Sequence, residues 1–287
     1  MFWWLFVLTL WGQAEVPRPR TLVMVQANGR QKDIRLYDLR RGAKVFLTRS
    51  PAEETALLCR RQRVIFVTGN EIRRVDAAHP GQETVIGQLP KELVAAMGGR
   101  LRHFLRWSPD GTLLAFPGST DILIKGLDSA VSHSISPDPG VRIVHPVFWR
   151  PGEAEIAYLT QSDAQVTLHL QPVARVQPRL SVTVVQARGT VTASDLHFSP
   201  DGKMLALNLD FQPEKGRLAR YFLLLDVESG QPASLNPSWK IEKFHGFSLK
   251  GELVLSGSVG GPLSLVYLNP GNIKNPKVLE HLLKREV

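Results

Sequence analysis

The sequence predicts an all-β protein, a β-propeller of four-stranded blades, on two observations. The first is a repeat: Trp107-Ser108-Pro109-Asp110-Gly111-Thr112-Leu113-Leu114-Ala115-Phe116 returns as Phe198-Ser199-Pro200-Asp201-Gly202-Lys203-Met204-Leu205-Ala206-Leu207. Looser copies run from Trp149 through Gly152 into Ile156–Leu159, and from Phe247 through Gly251 into Leu253–Leu255; an eroded copy spans Leu57–Phe66. The second observation is the spacing. Anchor residues at 57, 107, 149, 198 and 247 stand 50, 42, 49 and 49 residues apart, close to the roughly 40–50 residues that one four-stranded blade occupies.

The motif has a direct physical reading. An apolar strand ends at the aromatic residue, Pro presets φ for a tight turn, Asp bonds its own backbone, and Gly takes positive φ before a second buried strand begins. Asp110 and Asp201 are therefore turn formers rather than a carboxylate pair. Third and fourth strands follow each anchor, as in Asp121–Leu127 with Val131–Ser136, or Arg220–Val227 with Pro232–Leu235. Ahead of the first anchor, Thr21–Gln26, Asp33–Leu39 and Lys44–Thr48 supply three strands without an inner one. This makes an incomplete first blade, six blades in all with five as the alternative, and residues after Asn275 are expected to supply the missing strand and close the ring.

These same residues carry a resemblance. Trp107–Phe116, Phe198–Leu207 and the stretch Asn28-Gly29, Asp33–Leu39, Phe46–Thr48 resemble the TolB-type, WD-repeat-like propeller family, over the propeller part alone. The resemblance implies a fold and leaves the activity open, because one fold hosts many functions.

Composition sets the remaining bounds. Of 287 residues, 43% are hydrophobic and 21% charged, with 23 Gly and 20 Pro, which fits a folded, turn-rich chain and excludes a mostly disordered one. Met1–Ala14 reads as a secretory signal, an apolar run from Phe2 to Trp11 followed by Gly12-Gln13-Ala14, although no Lys or Arg precedes the run. The mature chain would be one propeller domain over residues 15–287, periplasmic or secreted and monomeric. It would have no membrane span, because no later segment reaches the roughly 20 apolar residues required. Cys59 is the one cysteine, which excludes an internal disulfide; its place on an inner strand suits a buried, inert thiol.

The formal charge of +9 is concentrated in the N-terminal third, where residues 1–107 hold 18 Lys and Arg against 9 Asp and Glu. A solvated basic face is the plain reading. An exported chain meets anionic envelope polymer more often than nucleic acid, so no nucleic-acid partner is expected. Arg60 and Arg61 fall in a turn, Arg73 and Arg74 on a third strand, and Arg100, Arg102 and Arg106 on or near an inner strand, with no shared face evident from their spacing.

The sequence holds no Gly-x-Ser-x-Gly elbow, no His-Glu-x-x-His, no phosphate loop and no Gly-x-Gly-x-x-Gly. The expectation is a chain with no catalytic residues and no cofactor, a protein-binding or scaffolding module of the cell envelope. Its enzymatic alternative is a small propeller lyase or hydrolase with a metal at channel-mouth histidines. His103 and His145 each precede an anchor Trp by four residues, and His197 stands one before Phe198 with opposite strand parity. Partner contacts are expected at His103, His145 and a long loop at Asp210–Leu218 carrying Phe211, Pro213, Glu214 and Lys215. Gln88–Gly99 and Asn236–Lys240 open on the same end, and Lys91–Met97, closed by Gly98-Gly99, is expected to form a short helix.

Overall fold

The computed structural model describes residues 21–279 apart from 29–30, 39–42, 49–53, 61–62, 98–103, 118–119, 128–131, 233–239, 249, 259–263 and 269–276. The proposed signal lies outside the described residues. Six sheets, ordered along the chain, account for the strands of the described residues. The first holds β1 (Thr21–Asn28), β2 (Gln31–Asp38) and β3 (Ala43–Phe46). The second holds β4 (Glu54–Arg60), β5 (Arg63–Thr68), β6 (Glu71–Asp76) and β7 (Glu83–Gln88), followed by α1 (Lys91–Met97). The third holds β8 (Arg106–Trp107), β9 (Leu113–Pro117), β10 (Ile122–Gly126) and β11 (Ser132–Ile135).

The fourth sheet comprises β12 (Arg142–Trp149), β13 (Glu155–Gln161), β14 (Val166–Pro172) and β15 (Leu180–Val185). The fifth comprises β16 (Gly189–Phe198), β17 (Met204–Pro213) and β18 (Ala219–Asp226), and the sixth β19 (Lys240–Phe247), β20 (Leu253–Ser258), β21 (Ser264–Leu268) and β22 (Lys277–Leu279). Every registered strand pair is an antiparallel meander between chain neighbours, so each repeat folds on itself. In the fifth sheet the expected fourth strand is represented by the bridge Leu225–Pro232, and residues 233–239 lie outside the described residues.

The repeat turns form as their residues dictate. Ser108 Oγ donates to Asp110 Oδ1 at 2.5 Å and Ser199 Oγ to Asp201 Oδ1 at 2.6 Å, while Gly111 and Gly202 take φ of 69° and 70°. The Ser199 hydroxyl, chiefly, holds the Asp201 carboxyl below its ordinary value. Both aspartates are thereby occupied in shaping a turn.

Two expectations are corrected. Of the residues after Asn275 expected to complete the first sheet, Lys277–Leu279 pairs instead with β21, Val266 opposite Val278, as the fourth strand of the last sheet, and 280–287 lie outside the described residues. The loop back to β21 is short, whereas the first sheet would require closure across the whole chain, and shorter closure costs less entropy. The segment Asp210–Leu218 is also not a loop throughout. Leu205, Leu207, Leu209 and Phe211 are all 1% exposed or less, an apolar period of two that carries β17 on to Pro213 against Gly189 of β16.

The chain divides into two compact units, one of residues up to 107 with 111–114 and 125–132, the other of 108–110, 115–124 and 133 onward. In the first, Ile34 and Leu47 of the first sheet pack with Val64, Phe66 and Val75 of the second. In the second unit, β13 is buried along its whole length, and Leu159, Val166, Leu168 and Leu170 meet Leu205, Leu207 and Leu209 of the fifth sheet. Ala206 and Leu224 then meet Phe244, Leu253 and Leu255 of the sixth.

Side-chain amides on the second strands join these sheets. Gln161, at the end of β13, donates through Nε2 to Gly189 O at 2.6 Å and accepts from Val191 N at 3.2 Å. Asn208 of β17 donates through Nδ2 to Phe244 O at 3.1 Å and accepts from Phe244 N at 3.3 Å. Each amide stands in for a strand edge and pins the inner strand of the following sheet. Asn208→Ala leaves a buried backbone N–H and C=O without these partners and is expected to lower stability by about 1–3 kcal/mol, as denaturant titration would measure.

Candidate functional site

Inner strands β12, β16 and β19 neighbour one another within the second unit. On β16, Asp195 and His197 are two residues apart and so project to one face. His197 Nε2 lies 2.9 Å from Asp195 Oδ1, with the two side chains 36% and 47% exposed. The Nε2 atom is buried and, for all its closeness to Asp195 Oδ1, makes no hydrogen bond among the described residues, so the pair is a charge contact and the accessible part of the ring lies away from it. Aromatic rings fix the imidazole: Phe148, which like His197 precedes its anchor aromatic by one, sits 6.4 Å away, and Phe244 meets it edge-on at 5.4 Å. Phe244 is itself wedged by Phe222 and Phe247, at 5.9 and 5.4 Å. A carboxylate beside an immobilised, part-exposed imidazole is the basic unit of general acid–base chemistry.

The other described histidines with polar partners are arranged differently. His169 places Nδ1 2.9 Å from Ser181 Oγ and Nε2 2.8 Å from Thr160 Oγ1, and stacks on Tyr158 at 5.0 Å. Burial holds this imidazole below its ordinary pKa against the opposite pull of Asp138, and burial also pushes the Tyr158 hydroxyl up to about 12. With both ring nitrogens engaged by hydroxyls, His169 belongs to a cross-strand ladder. His245 makes a similar cross-strand contact, Nε2 to Ser256 Oγ at 3.0 Å.

The residues singled out from sequence separate in the structure. His103 lies outside the described residues, as does the side chain of His145 on β12. Phe211 is 1% exposed and is no partner contact: it packs in the core with its ring against Tyr221 and against Gly189, where a Cβ would stand 2.6 Å from its Cζ. Glu214 and Lys215 are exposed in the turn between β17 and β18, with Glu214 N bonded to Arg188 O at 3.1 Å. Of the basic residues, Arg73 is clamped by Glu71 and Glu83 at 2.6 and 2.8 Å rather than offered to an anion. Among the described residues no group of three or more His, Cys, Asp or Glu is placed to hold a metal. Asp195 was missed by sequence reasoning, although an Asp-x-His alternation just before an anchor aromatic signals one shared face.

No family model matches the chain, and no curated protein does. Solved structures do. Dipeptidyl peptidase 4 of Porphyromonas gingivalis is similar at a TM-score of 0.58 and 14% identity, over 91% of this chain and 44% of that one. An oligogalacturonate lyase in complex with manganese is similar at 0.57 and 16%, over 90% of this chain and 73% of that one. A puromycin-hydrolyzing peptidase of Mycobacterium tuberculosis is similar at 0.54 and 16%, over 91% and 44%. The chain thus spans less than half the length of both peptidases. The expectation of a chain that is not an enzyme is overturned by these likenesses, since the solved structures that share its fold include two peptidases and a lyase. A sequence without a known catalytic motif had argued only from what it lacks. What the architecture and the likenesses together establish is an all-β protein with the fold of a β-propeller.

Proposed function

We propose that the chain is a small exported propeller enzyme of the lyase or hydrolase class, with Asp195 and His197 as its acid–base pair. The observation that carries this reading is the 2.9 Å approach of Asp195 to an imidazole that is held by two phenylalanines and remains one-third exposed. The likeness to peptidases and a lyase supports the class. In either reaction His197 takes up a proton, from carbon in an elimination or from water in a hydrolysis, and returns it to the leaving group. Asp195 stabilises the imidazolium formed between those two steps. Both steps use Asp195 and His197 alone; His103 and the side chain of His145, the expected metal ligands, lie outside the described residues.

The test is turnover by the purified chain on two substrate classes, a uronate oligomer read by the unsaturated product and a dipeptidyl anilide read by the released amine. Turnover on one class, reduced about 100-fold or more in His197→Ala, is the expected result. A folded protein that turns over neither, or a His197→Ala variant as active as its parent, overturns the reading.

A second reading is favoured by a different observation. The turn after β17 presents Glu214, Lys215 and a half-exposed Leu218 to solvent, which suits a protein-binding module of the periplasm or cell surface. In this reading the TolB-like repeat serves as a scaffold, and the basic N-terminal third adds affinity for anionic envelope polymer.

A further inference from the structure

The last strand of a sheet leaves a row of backbone N–H and C=O groups unpaired, and such an edge recruits another strand unless something blocks it. Most of the edges in this chain are blocked. β3 is four residues long and carries Lys44, and β11 is also four residues long. β22 has three residues, one of them Lys277. β7 holds Glu83, paired with Arg73, and its ladder shifts register beside that arginine. The fifth sheet is bordered by the bridge at Pro232, a residue with no N–H to donate. β15 is the exception: the six residues Leu180–Val185 hold no charge and no proline, and four of them are β-branched. No further strand lies beyond it among the described residues.

This strand also has the same pattern in both directions. Leu180, Val182 and Val184 pack toward the core shared with the fifth sheet, while Ser181 and Thr183 are exposed. The alternation from Leu180 to Val184 is therefore symmetric about Val182. A second copy laid antiparallel, about a two-fold axis through Val182 and perpendicular to the sheet, keeps apolar residues with apolar ones. Val182 meets its own copy, Leu180 meets Val184, and Ser181 meets Thr183 with hydroxyl beside hydroxyl. No like charges oppose each other in this register. Arg179, the nearest cation, comes opposite Val185 and is already paired with Glu155 at 2.9 Å. The one bulge of β15 falls at Val184, so Leu180–Thr183 runs regularly along β14 and offers a straight edge at the axis. Backbone pairing of this kind takes an extended polypeptide rather than a lipid or a nucleic acid, and the palindrome selects this chain itself among polypeptides.

We propose that β15 is the seat of a two-fold dimer, in which two copies of the chain join their fourth sheets into one continuous sheet in place of the monomer expected from the sequence. The interface stands whether or not Asp195 and His197 catalyse.

The test is sedimentation equilibrium of the purified full chain from micromolar to millimolar concentration, beside two double variants. The parent is expected to show a monomer–dimer equilibrium. Ser181→Lys with Thr183→Lys sets like charges opposite each other twice across the axis and is expected to weaken the dimer about tenfold or more. Ser181→Lys with Thr183→Glu sets opposite charges there instead and is expected to dimerise, less tightly as salt is added. Both variants lack the Ser181 hydroxyl that meets His169 at 2.9 Å, so the difference between them reports the pairing and not the loss of that contact. Melting temperatures recorded for each confirm that both are folded. A parent that stays monomeric throughout, leaving the edge to solvent or to a strand of another protein, overturns the proposal. Assembly that runs past the dimer, or a response that is the same in both variants, overturns it equally.

Discussion

Glu155→Ala is expected to lower the unfolding free energy by about 3–5 kcal/mol, the cost of stripping the partner from a buried ion network. Glu155 has a side chain only 5% exposed and serves two guanidinium groups: Arg150 at 3.0 Å and Arg179 at 2.9 Å. Arg150 also reaches the fifth sheet, donating to Gly202 O at 3.0 Å and pairing with Glu228 at 2.5 Å, and Arg179 donates to Val227 O at 3.2 Å. Removal of the carboxylate leaves two cations beside each other where water has little access. The rim pair with Glu228, whose side chain is 67% exposed, contributes far less. Equilibrium denaturation of Glu155→Ala beside Glu228→Ala would show the contrast.

The same network sets an acid limit. Burial pushes the Glu155 carboxyl up, but hydrogen bonds from Arg179 and Arg150 and their charges outweigh it and hold the group below the ordinary glutamate value. Its folded-state pKa is thus lower than its unfolded-state pKa. The stabilisation is complete above the unfolded-state value and drains away as pH falls through the folded-state value. Melting temperatures measured downward from about pH 5 should fall for the parent chain, and Glu155→Ala should lose this contribution to the decline.

Phe211→Ala is the second change with a large expected effect, about 3–5 kcal/mol for an aromatic side chain removed from a packed core. Phe211 is held between Tyr221 and Gly189, whose lack of a side chain leaves room for the ring: a Cβ there would stand 2.6 Å from the Phe211 Cζ. A surface residue of a partner-binding loop would cost almost nothing when truncated, so denaturant midpoints decide the assignment. Glu214→Ala and Lys215→Ala, two exposed changes in the neighbouring turn, serve as the near-neutral controls.

Much of the architecture was legible because it rests on local chemistry. The Ser-Pro-Asp-Gly turns, the helix Lys91–Met97 and the three-stranded first sheet follow from residues that act within a few positions of themselves. The extension of β17 was legible too, in the alternation Leu205, Leu207, Leu209, Phe211, but the polar residues between these apolar ones drew it toward a loop. The Asp195–His197 pair needed only parity along a strand. By contrast, Arg150 reaching Glu228 and Gln161 reaching Gly189 depend on partners 78 and 28 residues away. Nothing in a linear pattern marks which carbonyl an isolated glutamine will meet, so the long-range ties emerge only once the sheets are packed.

The amide ties have a polarity. Gln161 grips forward from the fourth sheet to the fifth, and Asn208 forward from the fifth to the sixth. Losing the sixth sheet would leave the Asn208 amide without its backbone partners, and losing the fourth would leave Gly189 O and Val191 N of the fifth without theirs. Unravelling from either end uncovers polar groups that the neighbouring sheet had satisfied, which couples the last three sheets into one cooperative unit.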